Sequence, residues 1–509
     1  MIFTIDSRSK IFCFSREVFV MKMKKALSVI LALAMTSALF ASCGDTASDG
    51  DTKETTTKAA TGAEGGDDAS EAEDTGDTGD TGEEKKSDGT KTKLNVWAFT
   101  EEVPNMINKY IELHPEFGEQ YEINTTIIAT TDGAYQPALD QALAGGGEDA
   151  PDLYCAEAAF VLKYTQGDAA EYAAPYKDLG IDVDKEVKDA DIAQYTVDIG
   201  SRDGELVGLG YQATGGAFIY RRSLAKEVLG TDDPAEVAKA IGAGSGNWDK
   251  FWDVAAQMKD KGYAMISGDG DLWHAVENSS EQGWIVDGKL TIDPKREEFL
   301  DFSKKLKDEG YHNDTQDWQD AWFADMKGEG AKPVFGFFGP AWLINYTLAP
   351  NCGGEKAGEG TYGDWAICTP PVGFFWGGTW VLANNDSQNK EAVGKIIDWI
   401  TLDTSEEGLQ YMWANGTFAE GGTKDCVASG TVMAKSNGEL DFLGGQNMFD
   451  VFTEANQYAN GKNLTQYDEG INQRWRDQVR QYSAGEKSKE DAIKDFKQDV
   501  ADNFDVTVE

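Results

Sequence analysis

Histidine is almost missing from this 509-residue chain: there are three, His114, His274 and His312. They are scattered, and each reads as structural. No HExxH, GxSxG or Walker phosphate loop is present, so the common metal-protease, serine-hydrolase and nucleotide-hydrolase chemistries lack their parts. Basic residues are few as well, 46 against 89 acidic, for a net charge of -43. Nucleic-acid binding needs basic patches facing phosphates, and this balance excludes it. It suits a surface that does not adhere to anionic polymers. Downstream of Cys43 the cysteines are Cys155, Cys352, Cys368 and Cys426. Their spacing fits no zinc motif, and both disulfides and free buried thiols are open to them. No cofactor, metal or catalytic group follows from the sequence. Long apolar runs are lacking too. The stretch Ala26 to Ala41 is too short for a membrane span, which takes roughly 20 apolar residues.

That stretch does have another reading. Met21-Lys22-Met23-Lys24-Lys25 is a basic flank, the apolar run follows, and small residues close it. Together they read as an export signal over residues 21–42. Leu39-Phe40-Ala41-Ser42-Cys43-Gly44 resembles a bacterial lipobox, in which the Cys becomes lipidated and N-terminal. Phe40 departs from it, since Leu usually stands three residues before the Cys. Residues 1–20 read as an upstream extension, with initiation at Met21 or Met23. From 44 to 92 there are 15 acidic and 5 basic residues among Thr, Gly, Asp and Ser. Nothing there can bury a core, so residues 43–92 are expected to be a solvated tether. The run from Asp74 to Gly82 lacks the twelve-residue loop of a calcium site.

Lys93 to Glu509 leaves 417 residues, a length that favours two lobes. Lys93 to Phe99 alternates as a strand. Val103, Met106, Ile107, Tyr110 and Ile111 then share one helical face. Glu122 to Ile128 reads as a strand, Gln136 to Leu143 as a helix ending at Gly145-Gly146-Gly147, and Pro151 to Cys155 as a third strand. Such alternation predicts an α/β fold with a largely parallel sheet. Further faces are Trp248, Phe251, Trp252 and Ala255; Phe299, Phe302 and Leu306 after the Asp293-Pro294 cap; and Val393, Ile396, Ile397 and Ile400 after the strand Gly378 to Leu382. The tail from Phe449 is expected to be mostly helical. Gly358 to Gly363 matches GxGxxG by letter, but a strand follows it, so it reads as a loop.

Several segments resemble, in order, the family 1 extracellular solute-binding proteins of the maltose/oligosaccharide type. They are Leu94 to Trp97 through His114 to Phe117; Asp149 to Tyr154; Asp203 to Leu209 followed by Phe218 to Arg222; Asn247 to Phe251; Phe338 to Trp342, with one residue inserted; and Gly377 to Trp380 through Asn389 to Ala392. Gly210 stands where the family has a Pro. The resemblance implies a two-lobe periplasmic-binding-protein-like fold of type II, with a hinge and a central cleft. Lobe one would hold 93–207 and 377–428, and lobe two 208–376 and 429–509. It implies a monomer, lipid-anchored on the outer face of the cell membrane, that captures a carbohydrate and delivers it to ABC transporter permease subunits. A surface-anchored carbohydrate-active enzyme and a sensing or adhesion lipoprotein of the same fold are the alternatives.

Sugars offer apolar C–H faces and rings of hydroxyls, which aromatic rings and polar groups complement. All 14 Trp lie beyond the tether. Ligand-binding candidates are Phe99 and Glu101 after the first strand, Glu157 after the third, and Tyr211 and Gln212 past the crossing. Asp269, Asp271 and Trp273 lie in a Gly-rich run. Trp342 matches the family's stacking Trp; Trp376 sits beside Gly377-Gly378; Trp413 and Arg474 complete the set. Trp248, Trp252 and Trp399 lie on helical faces and read as core. Lipidation is tested directly: a fatty-acid analogue fed to cells should label the wild type and not Cys43→Ser, and label kept by the variant would remove the anchor.

Overall fold

The computed structural model describes residues 91–130 and 133–509. Cys43, the export signal and residues 44–90 lie outside the described residues. Among the described residues no helix is long and apolar enough to cross a membrane.

The described residues build two main sheets and three two-stranded ribbons, and the chain crosses between the main sheets. β1 (Thr92–Ala98) is followed by α1 (Glu102–Leu113) and then by β2 (Tyr121–Ile127), β3 (Leu153–Glu157) and β4 (Gly208–Gly210). The second sheet comprises β5 (Ala217–Arg221), β6 (Gly336–Gly339) and β7 (Trp365–Cys368). The chain then returns to the first sheet as β8 (Thr379–Ala383), so its order is β2-β1-β3-β8-β4 and that of the second is β6-β5-β7.

The expectation of a largely parallel sheet holds only for β1 with β2 and with β3. β8 runs antiparallel to both β3 and β4, and the second sheet is wholly antiparallel. The reason is the route of the chain. β8 enters from the other lobe rather than by a local helix crossover, so nothing imposes the parallel sense on it.

Period-two alternation divides each strand between two cores. Leu94, Val96, Leu153, Cys155, Val381 and Ala383 face one cluster. Trp97, Tyr154, Ala156, Trp380 and Leu382 face the other. In the second sheet Phe218, Tyr220, Phe338, Ala366 and Cys368 point to one side and Ala217, Ile219, Phe337, Trp365 and Ile367 to the opposite one. Both faces are therefore covered, which explains why these strands are near-continuous apolar runs.

The helical faces fall where the spacing predicts them. α1 buries Val103, Met106, Ile107 and Tyr110. α2 (Asp249–Asp260) and α3 (Gly270–Asn278) precede α4 (Pro294–Glu309), whose Asp293 cap accepts the Lys295 N–H at 2.9 Å. α5 (Lys390–Thr401) packs on the first sheet. The tail forms α6 (Phe449–Tyr458), α7 (Asp468–Ser483) and α8 (Lys489–Asn503). Trp248, Trp252 and Trp399 are buried, and Cys155, Cys352, Cys368 and Cys426 are all free buried thiols.

Asp152, in the segment Asp149 to Tyr154, ties the first sheet together. Its carboxylate accepts the Asn95 N–H at 2.9 Å, the Ser387 hydroxyl at 2.5 Å and the Asn389 amide at 3.1 Å. One buried acid thus joins the middle of β1 to the loop after β8, and charge-assisted bonds of this type outweigh neutral ones.

The lobes are joined at residues 211–216 and 369–378, where Gly215 and Phe375 form an antiparallel bridge. The Gly216 N–H donates to Phe374 O at 2.8 Å, and a β-carbon on Gly216 would strike the Phe374 ring. Gly216→Ala should therefore cost about 1–3 kcal/mol, the scale of overpacking a filled core. Denaturant unfolding reads this, and an unchanged midpoint would show that the crossing yields freely.

Candidate functional site

The junction of the two crossing segments carries the site. The Tyr195 hydroxyl and Thr214 Oγ1 lie 3.0 Å apart, Thr214 Oγ1 donates to Gly377 O at 2.8 Å, and the Trp376 N–H donates to Thr214 O at 3.1 Å. These bonds fix residues 376–378 in a bend with φ of 73° at Gly377 and 116° at Gly378. Both values belong to the region that glycine enters without steric cost. Side chains from both lobes close on this bend. A β-carbon on Gly377 would stand 3.4 Å from Trp342 Nε1 and 3.6 Å from Glu157 Oε1. Glu157 ends β3 in lobe one, and Trp342 follows β6 in lobe two. Trp342 Nε1 donates to Trp376 O at 2.9 Å.

Beside this bend lies a cavity of about 510 Å³. Glu157 to Ala159 line it from lobe one. Phe375 to Gly377 line it from the crossing, and α3, residues 316–318 and one face of α7 from Asp468 to Arg480 line it from lobe two. Its apolar wall is a tryptophan group. Trp318 lies parallel to Trp342 with centroids 6.0 Å apart and an interplanar angle of 11°. Trp376 stands edge-on to Trp342 at 4.8 Å and to Trp318 at 6.0 Å. His274 stacks on Trp376 at 4.3 Å. Trp318 is 52% exposed and holds a φ of 67°. A bulky residue in left-handed backbone is strained by about 1–3 kcal/mol, and such strain gathers at functional positions.

The polar wall is acidic. Burial raises the Glu157 carboxyl to about 7; the Ala159 N–H, donating at 2.8 Å, opposes the rise and Glu469 adds to it. Burial likewise raises Glu277 to about 7, against the lowering effect of Arg296. Glu277 also accepts the Asn472 amide at 2.5 Å. His274 is lowered to about 3, by burial first and Arg476 second, so its imidazole is neutral. Arg476 Nη2 meets Asp317 Oδ2 at 2.8 Å. The arrangement offers flat rings beside carboxylate, amide and guanidinium groups. That combination suits a ligand with both apolar faces and hydroxyls.

Of the residues singled out from the sequence, Glu157, Trp273 and Trp376 line this cavity, and Trp342 backs its tryptophan wall. Trp273 is almost wholly buried against Phe299. The others lie elsewhere. The run 267–273 is not a loop throughout, because α3 begins at Gly270. Asp271 in its first turn folds back to accept the Ser267 and Gly268 N–H groups, both at 3.0 Å. Asp269 accepts the Ser303 hydroxyl at 2.6 Å. Phe99 packs edge-on to Tyr135 and Phe160, and Glu101 is exposed where α1 begins. Tyr211 and Trp413 pack together at 6.2 Å, with the Gln212 amide donating to Asp425 at 3.4 Å. Arg474 lies over Phe504 and faces Asp499. Arg476 takes the cavity position instead, since residues two apart on a helix point to opposite sides. Trp318, Asp317 and Glu469 escaped the sequence reading, and His274 read as structural. A Trp in a polar turn, Asp317-Trp318-Gln319-Asp320, was the available signal.

The model of the family described as bacterial extracellular solute-binding protein matches residues 99–407. The chain belongs to that family. Solved structures agree on the two-lobe fold of these binding proteins. A crystal structure of a family 1 extracellular solute-binding protein matches with a TM-score of 0.65 and 20% identity, covering 81% of this chain and 99% of the other. The galacto-N-biose/lacto-N-biose I-binding protein of an ABC transporter from Bifidobacterium longum matches at 0.61 and 15%, covering 83% and 100%. The sugar-binding protein MalE from Xanthomonas citri matches at 0.57 and 17%, covering 81% and 97%. Comparison with curated protein sequences gives no match.

The raised Glu157 carboxyl makes the stability of this binding protein depend on pH. Its proton is held to about 7 in the folded chain against 4.5 ordinarily. The contribution of Glu157 is therefore full below 4.5 and declines as pH rises to about 7. Glu157→Gln, which has no charge to bury, should melt above the wild type at pH 8 and no higher at pH 5. Equal melting at both values would show that Glu157 is freely solvated.

Proposed function

We propose that this solute-binding protein captures a carbohydrate in the cleft between its lobes and delivers it to the permease of an ABC importer, without chemical change to the ligand. The observation that carries this reading is the Trp318, Trp342 and Trp376 group set beside Glu157 at the lobe junction. Ring faces accept the C–H side of a sugar, and carboxylate and amide groups accept its hydroxyls. Structural neighbours named for sugars, from lacto-N-biose to β-1,6-galactobiose, support it. Glu157 belongs to one lobe and Trp342 to the other, so a ligand touching both favours the closed arrangement, and a permease can read that closure. The same reading includes a lipid anchor at Cys43, a tether over 44–92, a monomer, and lobes joined near residues 207, 377 and 428.

A thermal-shift screen of mono- and oligosaccharides identifies the ligand, and calorimetry then tests the residues. Trp342→Ala should weaken binding tenfold to a hundredfold, since an aromatic contact of this kind contributes about 1–3 kcal/mol. Normal binding with a much lower melting temperature would make Trp342 a core residue only. Trp318→Gly separates the two roles more sharply. Relief of left-handed strain, about 1–3 kcal/mol, offsets ring contacts of about 0.5–1.5 kcal/mol. Melting should change little while affinity falls. Product formed from the bound sugar, and lost on changing a cleft carboxylate, would favour an enzyme.

A further inference from the structure

The charge of the cleft narrows the ligand beyond its being a sugar. Six acidic side chains line the cavity against two guanidinium groups; burial raises Glu157 and Glu277 to about 7 and also raises Asp468 and Glu469, and the imidazole of His274 is neutral. Each guanidinium already has a carboxylate partner. Arg480 Nη1 lies 3.0 Å from Asp477 Oδ1. Arg476 Nη2 lies 2.8 Å from Asp317 Oδ2, and Asp269 and Glu469 act on the same guanidinium. The first turn of α3 makes room for the Arg476–Asp317 pair. A β-carbon on Gly270 would collide with both the Asp317 carboxylate and Arg476 Nη2. Arg476 is thus surrounded by more negative charge than it carries. Its Nε–H is buried and has no partner among the described residues.

The tryptophans do not form a cation cage. Their centroids are 4.8–6.0 Å apart, so the rings touch one another and leave no gap between them for a quaternary ammonium group. They present a face, as a sugar ring requires.

We propose that this cleft is built to refuse acid sugars: its ligand is a glycan without carboxylate, phosphate or sulfate, and the carboxylates around Arg476, Asp317 and Glu469 foremost, enforce that choice. The inference rests on the carbohydrate reading above and adds the sign of charge. An anionic ligand would have to enter among acidic side chains that outnumber the guanidinium groups or displace Asp317 from Arg476, and like-charge juxtaposition of this kind discriminates against the wrong partner.

The test is calorimetric titration of the full chain with matched pairs: glucose and glucuronate, galactose and galacturonate, and the same pairs as disaccharides. Wild type should bind at least one neutral member and bind its uronate about a hundredfold more weakly or not at all. A uronate bound as tightly as its neutral partner overturns the proposal. Binding of neither member of any pair, with no sugar found in the screen above, removes the carbohydrate reading itself, which is a separate failure. The double variant Asp317→Asn, Glu469→Gln should free Arg476 and lower the uronate-to-neutral ratio of dissociation constants at least tenfold. Glu469→Gln alone, at an exposed position, supplies the same readout in a smaller measure if the double variant does not fold. A ratio unchanged by these substitutions would assign the refusal to shape and overturn the charge argument.

Discussion

The bond between Thr214 Oγ1 and Gly377 O, with the return bond from the Trp376 N–H to Thr214 O, is the constraint on which the rest of the site depends. It joins two of the chain segments that cross between the lobes. Each segment leads directly into a strand of one sheet, so their pairing sets where β8 enters the first sheet and where β5 enters the second. Tyr195, from lobe one, reaches Thr214 through its hydroxyl and stacks on Phe375 at 4.7 Å. The junction is thus held by a buried aromatic pair and by hydrogen bonds removed from water, where such bonds are stronger and their loss more costly. Gly377 and Gly378 are part of the same constraint. Only a chain without side chains at these positions can turn there while Trp342 and Glu157 close on it.

From that junction the cleft follows by geometry. Glu157 pairs with Thr379 in the β3–β8 register, so the bend after the crossing delivers Gly377 to its carboxylate. Trp342 is delivered from the other side by β6, whose Gly339 pairs with Ala217 just past the first crossing. Ligand groups that touch both residues bridge two bodies connected by these crossing segments and by a further passage of the chain between α5 and the helical tail. Binding free energy and lobe position are then linked, because a ligand shifts a conformational equilibrium by its differential affinity for the two states.

Much of the architecture was legible in the sequence because it rests on periodicity. β1, α1, α2, α4 and α5 fall where alternation or three-to-four spacing places them, since burying one face is a local requirement that the chain itself displays. Sheet sense was not legible. Whether β8 runs with or against β3 depends on the lobe from which it arrives, and no residue within the strand records that. The site divides in the same way. Glu157, Trp342 and Trp376 stand next to strand ends or glycines, so motif order reaches them. Arg476 differs from Arg474 only by 200° of helical rotation about α7, which can be resolved only once the buried face of that helix is known. Asp271 looked like a loop acid because Gly268 and Gly270 flank it, yet its carboxylate serves to hold the turn that starts α3. Trp318 was missed because sequence reading treats a Trp as core by default, and its left-handed backbone is visible only in three dimensions.

The strained Trp318 and the raised carboxyls of Glu157 and Glu277 have a common consequence. Each raises the free energy of the folded protein, and in the carbohydrate reading proposed above each is of a kind that a bound sugar relieves. A hydroxyl donating to Glu157 stabilises its charged form, and a sugar face covering Trp318 removes a large exposed apolar ring from water. The cores on both faces of each sheet supply the stability that makes this tolerable, with Trp380 fully buried at the first sheet and Trp475 in a core of the second. A rigid body around a locally unfavourable surface converts ligand contact into closure more effectively than a relaxed surface does, because the strain released adds to the preference for the bound state. The acidic cleft follows the same logic for specificity. Carboxylates that already repel one another tolerate a hydroxyl donor and not a further negative charge.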